Sequence, residues 1–103
     1  DTIRLAPIYD LAPMVIDDDG VTRTTKWSAS IERAGDIDWH AACSALSGLI
    51  EPEQAYQRLR HDACQLLALP DILSDLGLPD AVMNHPAIGL GQLQRRMGRW
   101  ELL

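Results

Sequence analysis

The sequence predicts a mainly α-helical fold in which an N-terminal β-hairpin is followed by about five packed helices. Residues 3–27 contain short β-forming runs and a turn signal, whereas apolar residues from Asp36 onward recur at helical spacing. Proline and glycine punctuate this second part where helices begin and end. We therefore expect a single domain over residues 1–103, or a fragment of a longer polypeptide, with a strand and hairpin segment over residues 1–27 and a helical bundle over residues 36–103.

The strand segment is predicted from its β-formers and one acidic turn. A short strand is predicted within residues 3–8, and Pro7 is expected to end it. Residues 14–16 form a second apolar run. Three aspartates and a glycine predict a turn at residues 17–20, and residues 21–27 alternate as in a returning strand. The aspartates lack the ligand spacing and closing glutamate of a calcium loop, which favours a solvated turn.

The helical bundle is predicted to begin after a transitional segment at residues 28–35. Asp36 or Asp38 can cap the first helix. The apolar positions of that helix are Trp39, Cys43, Leu46 and Ile50. Pro52 begins a second helix, since proline is favoured at the first helical position. Its apolar stripe consists of Ala55, Tyr56, Leu59, Ala63, Leu66 and Leu67. The short break between the two helices predicts antiparallel neighbours.

Shorter helices are predicted in the rest of the chain. Gly77 predicts a helix stop between helices at about residues 72–76 and 80–84. Pro86 predicts the start of a last helix, whose apolar face contains Leu90, Leu93, Met97 and Trp100. The last turns of this helix carry Arg95, Arg96 and Arg99. We interpret them as a solvated face, because the helix dipole favours positive charge at this end of a helix. The alternative is a site for phosphate or an acidic partner.

Composition narrows the function classes. The formal charge of −6 argues against non-specific nucleic-acid binding, which needs a basic face. No apolar stretch reaches the length of a membrane span and no signal-peptide pattern is present, so we expect a cytoplasmic protein without membrane contact. Two cysteines do not make a disulfide framework and are expected to be free thiols.

Two His-x-x-Cys pairs, His40/Cys43 and His61/Cys64, suggest a zinc site or a cysteine nucleophile. In an antiparallel hairpin turning at residues 50–51, however, Cys43 and Cys64 are displaced by on the order of 9 Å along the helices. Cys43 also lies on the apolar stripe, where cysteine is usually a small hydrophobic residue. Nothing in the sequence marks a strand-to-helix elbow for a nucleophile. We therefore favour packing over either site.

Residues 5–11, with the sequence LAPIYDL, place Asp10 at the exit of the predicted first strand. Leu5, Ile8 and Leu11 are expected to anchor the segment. An aspartate here is usually a turn former, but phosphoryl-transfer enzymes also bind metal with an acid in this position. The segment resembles the L-S/A-P-x-Y-D-L/I/M signature of HipA-like serine/threonine kinases, the toxins of bacterial toxin–antitoxin modules. Residues 12–14 also resemble the continuation of that signature.

The resemblance implies specific roles for three residues. Asp10 would be a magnesium ligand equivalent to the kinase DFG aspartate, and Pro7 and Tyr9 would shape its approach. In the family, the ATP-phosphate loop, the nucleotide-anchoring lysine and the catalytic-loop residues lie upstream of the signature, whereas only residues 1–3 precede Arg4 here. No catalytic base is therefore expected on this chain. We expect a C-terminal portion of the kinase lobe that is inactive alone.

Cofactors and partners follow from the same resemblance. The intact kinase would use ATP and Mg²⁺. Its partners would be the missing N-terminal kinase portion, on the same parent chain or a separate subunit, a HipB-like antitoxin, and a protein substrate such as an aminoacyl-tRNA synthetase. The alternative is a free-standing, acidic helical interaction module with no catalytic role, in which the match at residues 5–11 is a coincidence.

Overall fold

The computed structural model describes residues 4–8, 18–19 and 24–103. Helices make up 49% of the described residues, and a two-stranded antiparallel hairpin precedes them, so the predicted fold class is confirmed. The hairpin is not where it was predicted, however. Residues 4–8 and 24–27 are not in strands, and the remainder of the predicted strands lies outside the described residues. Residues 18–19 do form part of a turn.

The hairpin lies in the segment predicted to be transitional. Strand β1 (Glu32–Arg33) pairs with β2 (Asp36–Ile37), with Arg33 opposite Asp36. Ala34 and Gly35 connect them with φ values of 51° and 84°. Positive φ at both turn residues is the geometry of a tight two-residue hairpin, and Gly35 adopts it without steric cost. Gly35 is the only residue that indicates this turn in the sequence. A prediction based on the β-propensity of the neighbouring residues therefore missed the hairpin.

Helix α1 (Trp39–Ala45) begins as predicted, with Asp38 as its N-cap. The Asp38 Oδ1 accepts a 3.0 Å hydrogen bond from the backbone N–H of Ala41. The helix ends at Ala45 instead of continuing to residue 50, and turns at residues 46–49 and a bend at residue 50 follow it. Serine and glycine at positions 47–48 explain the early end, because both have low helix propensity. Ile50 is consequently exposed rather than packed on the helix.

Helix α2 (Pro52–Leu66) has proline at its first position, as predicted, and packs against α1. Residue 40 of α1 meets residue 56 of α2, where the predicted register placed residue 61. The difference follows from the early end of α1, which moves the centre of the connection to about residue 48. A short hydrophobic core results, formed by Cys43, Tyr56, Ala63, Met97 and Leu102.

Helices α3 (Leu69–Asp75) and α4 (Asp80–Met83) are the two predicted short helices. Gly77 ends α3 with a φ of +87°, which confirms the predicted stop. Its N–H bonds to the carbonyl of Ser74 and that of Leu78 bonds to the carbonyl of Leu73, each at 3.0 Å. This pair of bonds is the Schellman motif.

The last helix begins later than predicted. A 3₁₀ turn (Leu90–Gln92) leads into α5 (Leu93–Arg99), whereas Pro86 was predicted as the helix start. Gly89 takes a left-handed conformation with φ +72°, which interrupts any helix from residue 86. None of the helices in the described part of the chain is long and apolar enough to cross a lipid bilayer.

Candidate functional site

The sequence-predicted site falls mostly outside the described residues. Asp10 and Tyr9 are not among them. Pro7 is described and is exposed. Leu5 and Ile8, predicted to anchor the segment, are 96% and 83% exposed. That prediction is wrong for these two side chains within this chain, because the described helices provide no surface that covers them.

The described residues form a cavity of about 520 Å³ where the hairpin, the start of α1 and the end of α5 meet. The end of α5 therefore contributes to one concave surface with the hairpin and α1, which lie far from it in sequence. Its lining comprises Ser30, Ile31, Arg33, Asp36, Ile37, Asp38, Trp39, His40, Arg99, Trp100 and Glu101.

Asp36 connects β2 to the end of α5. Its Oδ1 lies 2.7 Å from the Arg99 Nη2 and accepts a longer hydrogen bond, 3.4 Å, from the Trp100 Nε1. All three side chains remain partly accessible to solvent, so the ion pair contributes about 1 kcal/mol or less. Asp36 was predicted as a possible helix cap. The structure gives it this bridging position because Asp38 caps α1 instead.

Two tryptophans meet at the cavity wall. The rings of Trp39 and Trp100 are 5.9 Å apart and inclined by 73°, an edge-to-face contact. The Arg96 guanidinium lies 5.8 Å from the Trp100 ring centre, within range of a cation–π interaction. The Trp39 Nε1 is buried without a hydrogen-bond partner among the described residues. Helical periodicity placed each tryptophan on an apolar face, but it could not show that the two faces meet.

His40, Tyr56 and Glu101 form a second cluster beside the cavity. The His40 ring stacks on Tyr56 with a centroid distance of 3.9 Å, and its Nε2 lies 3.3 Å from a Glu101 carboxylate oxygen. The Tyr56 hydroxyl donates to the Glu101 backbone carbonyl. Burial is the main cause that raises the pKa of Tyr56, so the phenol stays protonated and can donate. These contacts bind α1, α2 and the chain end together.

The cysteines of the two His-x-x-Cys pairs lie in different environments. Cys43 is buried in the core and Cys64 is exposed. Burial, followed by the nearby Glu53 carboxylate, raises the pKa of Cys43, which disfavours the thiolate that a nucleophile needs. Among the described residues, no three His, Cys, Asp or Glu side chains are close enough to hold a metal ion together.

The arginine cluster of α5 lines a smaller cavity of about 260 Å³ together with Gln92. Gly89 and Gly91 precede it, but neither has the following lysine or hydroxyl of a phosphate loop.

Comparison of the chain with protein-family models, with curated proteins and with solved structures gave no match.

Proposed function

We propose that this chain is the C-terminal helical portion of a HipA-like serine/threonine protein kinase. The observation that carries the proposal is the LAPIYDL segment at residues 5–11, which ends in Asp10-Leu11 and is followed by a mainly helical region. In the intact kinase, Asp10 would hold Mg²⁺, with Pro7 and Tyr9 fixing its approach. The bound ion would neutralise charge on the ATP phosphates during transfer.

The exposure of the motif segment supports this proposal. Leu5 is 96% exposed, and Ile8 is 83% exposed. Burying a leucine or isoleucine side chain contributes roughly 1.5–3 kcal/mol, so apolar residues at such positions favour contact with a further protein surface. The remainder of a kinase lobe, on the parent chain or a separate subunit, would provide that surface and complete the active site around Asp10.

The chain alone is proposed to be inactive. Phosphoryl transfer requires the nucleotide and the acceptor hydroxyl to be held in line. The family elements that do this lie upstream of the motif. A HipB-like antitoxin, a protein substrate such as an aminoacyl-tRNA synthetase, and a cytoplasmic location belong to the same proposal and rest on the resemblance.

The coding DNA upstream of Asp1 tests the proposal. We expect an open reading frame that encodes a D-x-H-x-K-N-like catalytic loop shortly before this segment. The purified chain, incubated with labelled ATP and Mg²⁺, should incorporate no phosphate into itself or into added protein. Phosphorylation by the chain alone would contradict the proposal that it lacks half of the active site.

A second candidate is a free-standing helical interaction module. It is favoured by apolar side chains exposed on the helical part, including Leu49 at 82% and Leu76 at 78%, in a chain of net charge −6. Such side chains mark protein contact surfaces when they cluster. A start codon and promoter directly upstream of the Asp1 codon would favour this candidate, or a kinase whose N-terminal portion is a separate subunit, over a single-chain kinase.

A further inference from the structure

Four polar side chains lie along one face of α5 and its leading turn. Gln92, Arg95, Arg96 and Arg99 are spaced i, i+3, i+4 and i+7, which places them side by side on a helical surface. They line the cavity of about 260 Å³ described above. The buried Met97 lies on the other side of the helix, in the hydrophobic core. The polar face is therefore held in place by the packing of the apolar one.

The charge of this face is opposite to that of the chain. The protein has a net charge of −6, yet three of its nine lysine and arginine residues occur within five positions. Arg99 is paired with Asp36. Arg95 and Arg96 make no ion pair with a carboxylate in the part of the chain that the structure describes. Within residues 4–8, 18–19 and 24–103, the guanidinium groups of Arg95 and Arg96 therefore have no paired carboxylate.

Two of the three guanidinium groups are positioned by neighbours. Arg99 donates to the Asp36 Oδ1 at 2.7 Å, and Arg96 lies over the Trp100 ring. A Cβ placed on Gly89 would be 3.5 Å from the Arg96 Nη2, so the chain before α5 also borders this guanidinium. Positioned donors lose less side-chain entropy when a ligand binds than freely moving ones do.

We propose that this cavity binds a phosphate monoester group, a function separate from the proposed kinase role and independent of Asp10. Guanidinium groups donate paired hydrogen bonds to phosphate oxygens, and a dianion with three terminal oxygens matches several such donors better than a carboxylate does. The Gln92 amide adds a neutral donor. The overall charge of −6 favours a single phosphate group over a nucleic-acid backbone, because a polyanion would be repelled by the rest of the surface.

Titration with inorganic phosphate at constant ionic strength tests this site, followed by the backbone amide NMR shifts of residues 92–99. We expect saturable shifts in the native chain. Arg95→Gln and Arg96→Gln should each weaken the affinity by about tenfold, since each removes a charge-assisted hydrogen-bond donor. Arg95→Lys should restore part of the loss. Arg95 makes no hydrogen bond or ion pair with the described residues, so its substitution removes no such interaction among them.

Arg58→Gln is the matched control. Arg58 is an exposed arginine of α2 paired with Asp62, and its removal should leave phosphate affinity unchanged. Equal shifts with chloride, a loss in Arg58→Gln as large as in Arg95→Gln, or unchanged affinity in an Arg95→Gln/Arg96→Gln double variant would each overturn the proposal. Binding of a single-stranded oligonucleotide without any response to inorganic phosphate would also overturn it, in favour of a diester backbone.

Discussion

Glu101 holds a backbone conformation that residues with a side chain rarely adopt. Its φ is +59°, in the left-handed region. The Glu101 N–H bonds to the Gly98 carbonyl and the Leu102 N–H bonds to the Met97 carbonyl, each at 3.0 Å, so α5 ends in the same Schellman motif as α3. This turn directs Leu102 into the core. Nothing in the sequence indicated it, because glycine normally marks the position.

At position 101, glycine should therefore give a more stable protein than alanine. The left-handed conformation costs an L-residue about 1–2 kcal/mol, whereas glycine adopts it freely. We expect Glu101→Gly to raise the free energy of unfolding, measured in urea, by about 1 kcal/mol over Glu101→Ala. The alanine variant loses the same carboxylate and retains the strain. Equal stability of these two variants would show that the left-handed conformation carries no strain here.

The two cysteines differ in environment, and their reactivity should differ accordingly. Cys43 is buried with a raised pKa, whereas Cys64 is exposed. We expect iodoacetamide at pH 8 to modify Cys64 and to spare Cys43, as measured by peptide mass spectrometry. In Cys64→Ser, alkylation should become slow until the protein is unfolded in urea. Rapid modification of Cys43 in the folded variant would contradict its place in the core.

The raised pKa of Cys43 also sets the sign of a pH effect. Because folding disfavours the thiolate, the stabilisation is complete below the usual thiol pKa of about 8.5 and is lost as the pH rises through the folded-state value. Unfolding free energy should therefore fall above pH 8.5, and fall less in Cys43→Ala. An identical decline in both proteins would assign the effect to other groups.

At the scale of elements, capping residues were the most informative part of the sequence. Asp38, Pro52 and Gly77 lie where they were predicted to begin or end helices. Each acts through its own backbone or side-chain geometry within a few residues, so no knowledge of the tertiary fold is required. The positions of the hairpin and of the start of α5 were predicted wrongly because they depend on backbone conformations that the local sequence does not specify. Gly35 and Gly89 adopt left-handed conformations that neighbouring propensities do not specify.

The Asp38 side chain should stabilise the protein as the N-cap of α1. Asp38→Ala should lower the free energy of unfolding by about 1 kcal/mol, because the Ala41 N–H loses its acceptor. Asp38→Asn keeps a side-chain oxygen and should stay close to the native value. Chemical denaturation followed by circular dichroism measures both. Equal losses in the two variants would indicate that the charge of Asp38, not its capping oxygen, stabilises α1.

Over the whole molecule, the sequence predicted the fold class but not the sites. The helical periodicity of the sequence predicted the apolar stripe of α2, although Leu66, near the end of that stripe, is exposed. The cavity between Asp36, Trp39 and Trp100 joins residues more than 60 positions apart. Such a contact depends on the position of α5 relative to the hairpin, and no local sequence pattern specifies that position. The proposed role of Asp10 rests only on the resemblance of residues 5–11 to a kinase signature.

The exposure of apolar side chains along the chain fits a protein that functions in contact with further protein surface. Leu5 and Ile8 of the motif and Leu76 after α3 are largely solvent-exposed. In the proposed kinase, the motif segment would pack against the remainder of the lobe and bring Asp10 to the ATP phosphates. The central claim is thus that Asp10 serves an active site that this chain only partly supplies.

Phosphorylation by the polypeptide encoded by the complete reading frame tests that claim most directly. With labelled ATP and Mg²⁺, we expect the unsubstituted kinase to transfer phosphate and Asp10→Asn to lose transfer by several orders of magnitude while its circular dichroism stays unchanged, because the variant lacks the charged metal ligand. Asp18→Asn, which removes an exposed acid from the neighbouring turn, should retain full activity. Transfer by Asp10→Asn at the unsubstituted rate would contradict the proposed role of Asp10 as a metal ligand.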